Sequence, residues 1–275
     1  MDATSAGEKR VAVVGAGITG LATAYLLGRA RPGWHVEVFE AETHPGGKAR
    51  TSVRAGYTVD WGPNGFLSTA PETLELARQL GLDAELQPAS EAARHRFLYV
   101  DGGLRRLPSS PQAFLASEIV PWPGRLRAAL ELAVAGRHDG EESVHAFLAR
   151  HFGRGFADAL ADAFVSGITA GDSRELSLDA LFPRLRAMER AHGSLLRAMI
   201  AQQRAARRRG RAQPAPAGRL TSFREGGMQR LLDALAGALP QAPRLGAPVD
   251  SLAPEGAGGF VLTISGTPHE RFDAV

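Results

Sequence analysis

Two clusters of glycine between Val11 and Thr51 constrain this chain more than anything else in it. Val11-Ala12-Val13-Val14 is a short apolar run of the kind that forms a buried parallel strand. It runs directly into Gly15-Ala16-Gly17-Ile18-Thr19-Gly20, and a helical pattern over Leu21, Ala24, Tyr25 and Leu26 follows. A second strand reads Val36-Glu37-Val38-Phe39-Glu40, and Glu40 stands 20 residues past Gly20. Strand, glycine turn, helix, strand and acid in that order predict a dinucleotide-binding βαβ unit. Gly15 permits the tight turn, Gly17 lets backbone approach a diphosphate, and Gly20 permits close helix–strand packing. The helix start offers N–H groups and the positive end of its dipole to the phosphates, and Glu40 offers a carboxylate to ribose hydroxyls.

The turn alone does not distinguish one dinucleotide from another. The residues after Glu40 bear on that. His44-Pro45-Gly46-Gly47-Lys48-Ala49-Arg50-Thr51 places a second glycine pair close behind the acid, with Lys48 and Arg50 able to meet phosphate. This arrangement resembles the second motif of the large FAD-binding family that includes amine oxidases, phytoene desaturases and protoporphyrinogen oxidases.

Composition sets the bounds. With 275 residues and 44% apolar content the chain can build one or two real cores. It contains no cysteine, so disulfides, thiol chemistry and thiolate metal sites are excluded. Of the eight histidines only His145 and His151 stand at H-x₅-H spacing, and Glu141 with His145 reads as a helix-surface pair. The polar stretch before the first strand does not read as a signal peptide, and no run approaches the ~20 apolar residues of a membrane span. Arg204, Arg207, Arg208, Arg209 and Arg211 cluster just before a Pro/Ala-rich stretch. That run reads as a helix fraying into a solvated linker rather than as a nucleic-acid patch.

Three zones follow along the chain. Residues 9–90 hold the first segment of the dinucleotide domain. There Tyr57–Asp60 is a strand leading into the Gly62-Pro63-Asn64-Gly65 turn, and Thr69-Ala70-Pro71-Glu72 a capping box for a helix that Gly81 stops. Residues 91–210 open with a hairpin over Arg96–Tyr99 and Leu104–Leu107 and then turn helical. Phe152, Phe156, Leu160 and Phe164 predict one helix with an apolar stripe, ended by Gly167 or Gly171. Residues 218–275 return to the first domain through Glu225-Gly226-Gly227-Met228, an amphipathic helix (Leu231, Leu232, Leu235, Leu239), and strands at Val249–Leu252 and Gly259–Ile264. Arg271 to Val275 reads as a strand entering the sheet and cut off at its start, so the chain is expected to be C-terminally truncated. The fold class is α/β: a Rossmann-like FAD-binding domain with an inserted, mostly α-helical substrate- and membrane-facing domain.

Several strings in all three zones resemble the protoporphyrinogen oxidase family. They include His95–Tyr99 with Gly102-Gly103-Leu104, Ser166 to Asp172 as a glycine-rich substrate-side loop, Met188-Glu189-Arg190, and Phe223 to Met228. The resemblance implies FAD as cofactor, with Gly15, Ala16, Gly17, Ile18, Thr19 and Gly20 on the diphosphate and Glu40 and Ala41 on the adenosine ribose. Gly47, Lys48, Gly62, Pro63, Asn64 and Gly65 would then lie near the ribityl chain and flavin, and Val249 would meet the adenine through its backbone. Arg96 would pair with a substrate propionate, Gly167 would face the tetrapyrrole, and Asn64 stands where some members carry arginine. The implied activity is oxygen-dependent oxidation of protoporphyrinogen IX to protoporphyrin IX in haem biosynthesis. No general base and no metal are implied.

Expected partners are a porphyrinogen, molecular oxygen and a second copy of the chain, without nucleic acid. The expected location is the cytoplasm, peripheral at the inner face of its membrane. Phe114, Leu115, Ile119, Val120 and Trp122 fit either such a surface or core packing. Two other functions remain open: a coproporphyrinogen III oxidase, and a non-catalytic or truncated binding protein on the same scaffold.

Overall fold

The computed structural model describes residues 8–100, 102–107, 117, 119–120, 122–134, 136–208, 218–256 and 258–275. Its internal contacts divide the chain into two compact units, Met1–Ala89 with Ala217–Val275, and Ser90–Pro216.

The first unit opens with β1 (Arg10–Val14), α1 (Ile18–Ala30) and β2 (His35–Phe39). The two strands pair in parallel, Val11 opposite Val36 and Val14 opposite Phe39. The crossover α1 buries Leu21, Ala24 and Tyr25. A single 3-10 turn at Gly47–Ala49 leads to the hairpin of β3 (Thr51–Arg54) and β4 (Tyr57–Asp60). Ala55 and Gly56 close it, both at positive φ, as tight hairpin turns demand. β5 (Phe66–Leu67), α2 (Pro71–Gln79) and β6 (Leu86–Pro88) complete the segment. The capping box expected at Thr69 does not form: Ala70 is the N-cap and no side chain caps the helix. Pro71 at the first helical position, with φ already set, starts the helix instead.

The second unit begins with the hairpin of β7 (Phe97–Val100) and β8 (Gly103–Arg106). Its helices are α3 (Trp122–Ala129), α4 (Glu131–Val134), α5 (Val144–Phe152), α6 (Arg154–Thr169), α7 (Leu178–Leu181), α8 (Pro183–His192) and α9 (Leu195–Arg208). Three expectations fail here. The Phe152–Phe164 stripe is not one helix, because Gly153 at φ +91° ends α5 and begins α6. Gly167 lies inside the last turn of α6, and it is Ala170, in the left-handed region, that ends the helix. His145 pairs with Asp158 of α6 at 2.7 Å rather than with Glu141, which precedes α5. Ile119 and Val120 are buried with Leu160, whereas Trp122 is 68% exposed. Phe114, Leu115, Arg209 and Arg211 lie outside the described residues.

The chain re-enters the first unit through β9 (Leu220–Phe223), which pairs antiparallel with both β5 and β6. Next come α10 (Gln229–Gly237) and a meander of β10 (Val249–Pro254), β11 (Phe260–Ile264) and β12 (Thr267–Phe272). Leu231, Leu232 and Leu235 of α10 join Leu21, Ala24 and Tyr25 of α1 in one core, so the return segment closes the first βαβ unit. Arg271 and Phe272 belong to β12, not to the strand expected at the chain's end. Parallel pairing with β1 starts only at Asp273 and Ala274, where Ala12 N–H donates to Ala274 O at 3.0 Å. No helix among the described residues is long and apolar enough to cross a membrane.

Candidate functional site: a glycine-lined cradle

The cradle is built where β1 ends and α1 begins. Gly15 takes φ +99°, a conformation that L side chains avoid, and its N–H donates to Phe39 O at 2.7 Å. Gly17 caps α1 in extended backbone (φ −74°, ψ 177°), and a Cβ there would meet nothing within 4 Å. At Gly20 a Cβ would overlap Gly15 O and press on Val13, so helix and turn touch only because that position is bare. The result is a short concave turn over the unpaired first-turn N–H groups of α1, where backbone donors and the helix dipole favour an anion.

Glu40 sits directly behind that turn and is buried. Its Oε2 accepts the Ala16 N–H at 2.7 Å and its Oε1 accepts the Glu42 N–H at 3.0 Å. The carboxylate therefore braces the turn through backbone, and each oxygen keeps a second acceptor direction for a hydroxyl. The Gly46 N–H donates to Ala16 O at 2.9 Å, which brings the second glycine pair alongside the first. Lys48 is exposed beside it, and the turn at Gly62 packs so tightly on the Lys48 carbonyl that a Cβ would overlap it. Ala41, Pro63 and Asn64 are exposed. Val249, at the start of β10, packs on the cluster containing Ala12 of β1 and Phe39 at the end of β2.

Thr51, Asp60 and Gln229 hold this arrangement together, and no sequence motif marks Asp60 or Gln229. Thr51 Oγ1 donates to Asp60 Oδ1 at 2.5 Å and accepts the Gln229 N–H at 3.0 Å, while Asp60 Oδ1 also accepts the Met228 N–H at 3.2 Å. Two polar side chains of the hairpin thus cap the start of α10. The only hint in sequence is Gly226-Gly227: a Cβ on Gly227 would crowd Asp60 and Thr51 within 2.8 Å.

In the second unit, Arg96 lies just before β7 with an exposed side chain, and Gly167 is exposed on α6. A buried ionic cluster there also escapes any reading of the sequence. His151 Nδ1 lies 2.7 Å from Glu131 and its Nε2 3.1 Å from Glu189. Arg186 meets Glu189 at 2.7 Å and Glu142 at 2.9 Å, and Arg150 meets Glu189 at 2.6 Å. Burial pushes the Glu131 carboxyl up, but donors from Ser194, His151 and the Leu195 and Leu196 backbone outweigh it and hold it below the usual range. Glu189 is likewise penalised by burial yet held low by Arg150, Arg186 and His151. Apart from the i,i+3 pair Arg186–Glu189 and the neighbours Arg150–His151, its members come from separate places, Glu131 on α4, Glu142 before α5, Arg150 and His151 on α5, and Arg186 and Glu189 on α8, so periodicity alone does not assemble it. No group of three or more His, Asp or Glu side chains among the described residues is arranged to hold a metal ion.

The model of the flavin-containing amine oxidoreductase family matches residues 18–275. A coproporphyrinogen III oxidase of Propionibacterium freudenreichii is 39% identical over 72% of this chain and 39% of its own length. Protoporphyrinogen oxidase 2 of Arabidopsis thaliana is 36% identical over 84% of this chain and 47% of its own length. A crystal structure from Exiguobacterium sp. 255-15, whose protoporphyrinogen oxidase assignment is provisional, superposes with a TM-score of 0.74 and 25% identity, covering 96% of this chain and 58% of that one. The chain spans about half the length of the curated relatives it matches.

Proposed function

The chain belongs to the flavin-containing amine oxidoreductase family, and on that premise we propose that it supplies the FAD cradle and helical unit of an oxygen-dependent porphyrinogen oxidase. The observation that carries this reading is the bare, Glu40-braced turn at Gly15–Gly20 in a chain whose named relatives oxidise porphyrinogens. Gly15 to Gly20 would hold the diphosphate, Glu40 and Ala41 the adenosine ribose, and Val249 the adenine. Gly47, Lys48 and the Gly62–Gly65 turn would lie along the ribityl chain and ring. Bound FAD would supply hydride-acceptor chemistry toward a saturated carbon of the substrate, with oxygen as the final electron acceptor. The protein's share is placement and electrostatics. Glu40 keeps the turn in shape, and the first-turn N–H groups of α1 meet the negative charge.

The substrate in this reading is protoporphyrinogen IX, with protoporphyrin IX as product. Arg96 would bind a propionate, because its guanidinium fork fits a carboxylate in a bidentate fashion. Exposed Trp122 beside Leu126, 56% exposed, supports a peripheral membrane surface as a further partner. One observation favours a second substrate: the 39%-identical relative is named for coproporphyrinogen III. Supplying the purified, FAD-supplemented protein in air with each porphyrinogen, and following the fluorescence of the porphyrin formed, tests both. Faster turnover of protoporphyrinogen supports the main reading and faster turnover of coproporphyrinogen the second. No porphyrin from either beyond the protein-free rate contradicts both.

A further inference from the structure

The cradle has a support that its own motifs do not contain. Gln229 opens α10, and its Nε2 donates to Pro45 O at 3.1 Å and to Asp233 Oδ1 at 2.9 Å. Pro45 immediately precedes Gly46, whose N–H holds Ala16 O, and Ala16 N–H in turn holds Glu40. A Cβ on Gly46 would meet Gln229 Oε1 at 3.1 Å, and Gly46 takes φ +134°, so side-chain amide and bare backbone are fitted face to face. One partly buried amide on the return segment therefore connects, through the Gly46 peptide, to the turn that faces the diphosphate. The contacts of Gln229 with Asp233 and Thr51 serve the helix; the one with Pro45 serves the cradle.

We propose that Gln229 is a positioning residue for the dinucleotide site: its amide fixes the Pro45 carbonyl and thereby holds Gly46–Gly47 against Ala16–Gly17 in the shape that admits FAD. The inference rests on the FAD reading of the cradle. It also gives the return segment a part in cofactor binding, because the loop carrying the second glycine pair is held by a residue ~180 positions later in the chain.

Gln229→Glu separates this role from a purely structural one. It preserves side-chain length and places an acid at a helix start, where the dipole favours it. It removes the donor to Pro45 O and sets carboxylate against carbonyl. The melting temperature of the FAD-free chain is expected to fall by no more than a few degrees, since the new like-charge pair with Asp233 costs only tenths of a kcal/mol. The FAD dissociation constant, from flavin fluorescence titration at about pH 7.5, is expected to rise about three- to tenfold over the parent, the worth of one hydrogen bond. The ratio of variant to parent should shrink as pH falls through the carboxyl range near ~4.5, because the protonated side chain regains a donor. Gln229→Ala should stay weak at every pH. Equal affinity of Gln229→Glu and parent, or a ratio that ignores pH, overturns the inference while leaving the FAD reading intact. A parent chain that binds no FAD overturns that reading and the inference together.

Discussion

At the scale of single residues, the last two glycines of the first signature do different jobs, and the difference is measurable. Gly20 is required by the protein itself, because its missing Cβ makes room for the Gly15 carbonyl. Gly20→Ala is expected to cost about 1–3 kcal/mol of stability even without cofactor, read by urea denaturation. Gly17 is required only by a ligand: its φ of −74° suits any residue and nothing lies within 4 Å of its absent side chain. Gly17→Ala should leave the FAD-free melting temperature within about 2 °C of the parent, with any side-chain effect a few tenths of a kcal/mol. It should also weaken FAD binding at least about tenfold, since the added methyl occupies the diphosphate's approach. A Gly17→Ala chain that binds FAD normally would show that the diphosphate does not lie there.

Among the elements, the second unit depends on two features invisible to periodicity. Gly153 joins α5 to α6 at φ +91°, with Arg127 Cγ 2.8 Å from where a Cβ would sit. Gly153→Ala should therefore destabilise by about 1–3 kcal/mol in chemical denaturation. The buried cluster is the other. Glu189 accepts from His151, Arg150 and Arg186 with its side chain out of solvent. Glu189→Gln leaves two guanidinium groups undercompensated and should cost about 3–5 kcal/mol, measured as a lower urea midpoint. Glu131 and Glu189 sit below their ordinary values in the folded state, so the unfolded chain binds more protons than the folded one in acid. Their stabilising contribution is complete above the unfolded carboxyl value of ~4.3 and is lost as pH falls through the folded values. Melting temperature should thus drop below about pH 4.5, and Glu131→Gln should flatten part of that drop. An unchanged slope in that variant would contradict the assignment.

For the molecule as a whole, legibility followed the range of the interactions. β1, α1 and β2 were readable because an apolar run, a glycine turn and a helical period all lie within some thirty residues, and local geometry alone dictates them. The same holds for α10, whose leucines recur at helical spacing and are buried as that spacing demands. The sequence places a cap of α2 at Thr69, but a proline at the first helical position makes that hydroxyl unnecessary. The Phe152–Phe164 period predicts one helix where there are two, because periodicity does not register the φ of one glycine. What sequence could not offer at all were contacts closed across the return of the chain: Gln229 on Pro45, Asp60 on Met228, and the pairing of β9 between β5 and β6. These long-range contacts complete the cradle that the local motifs begin.

The claim that this cradle grips the diphosphate of a dinucleotide is tested most directly by equilibrium dialysis of the purified chain against FAD, with ADP and FMN as competitors. The account predicts saturable binding of one FAD per chain, displaced by ADP, which carries the adenosine diphosphate half, and hardly disturbed by FMN, which lacks it. FAD that fails to bind, or that FMN displaces as readily as ADP does, would contradict it.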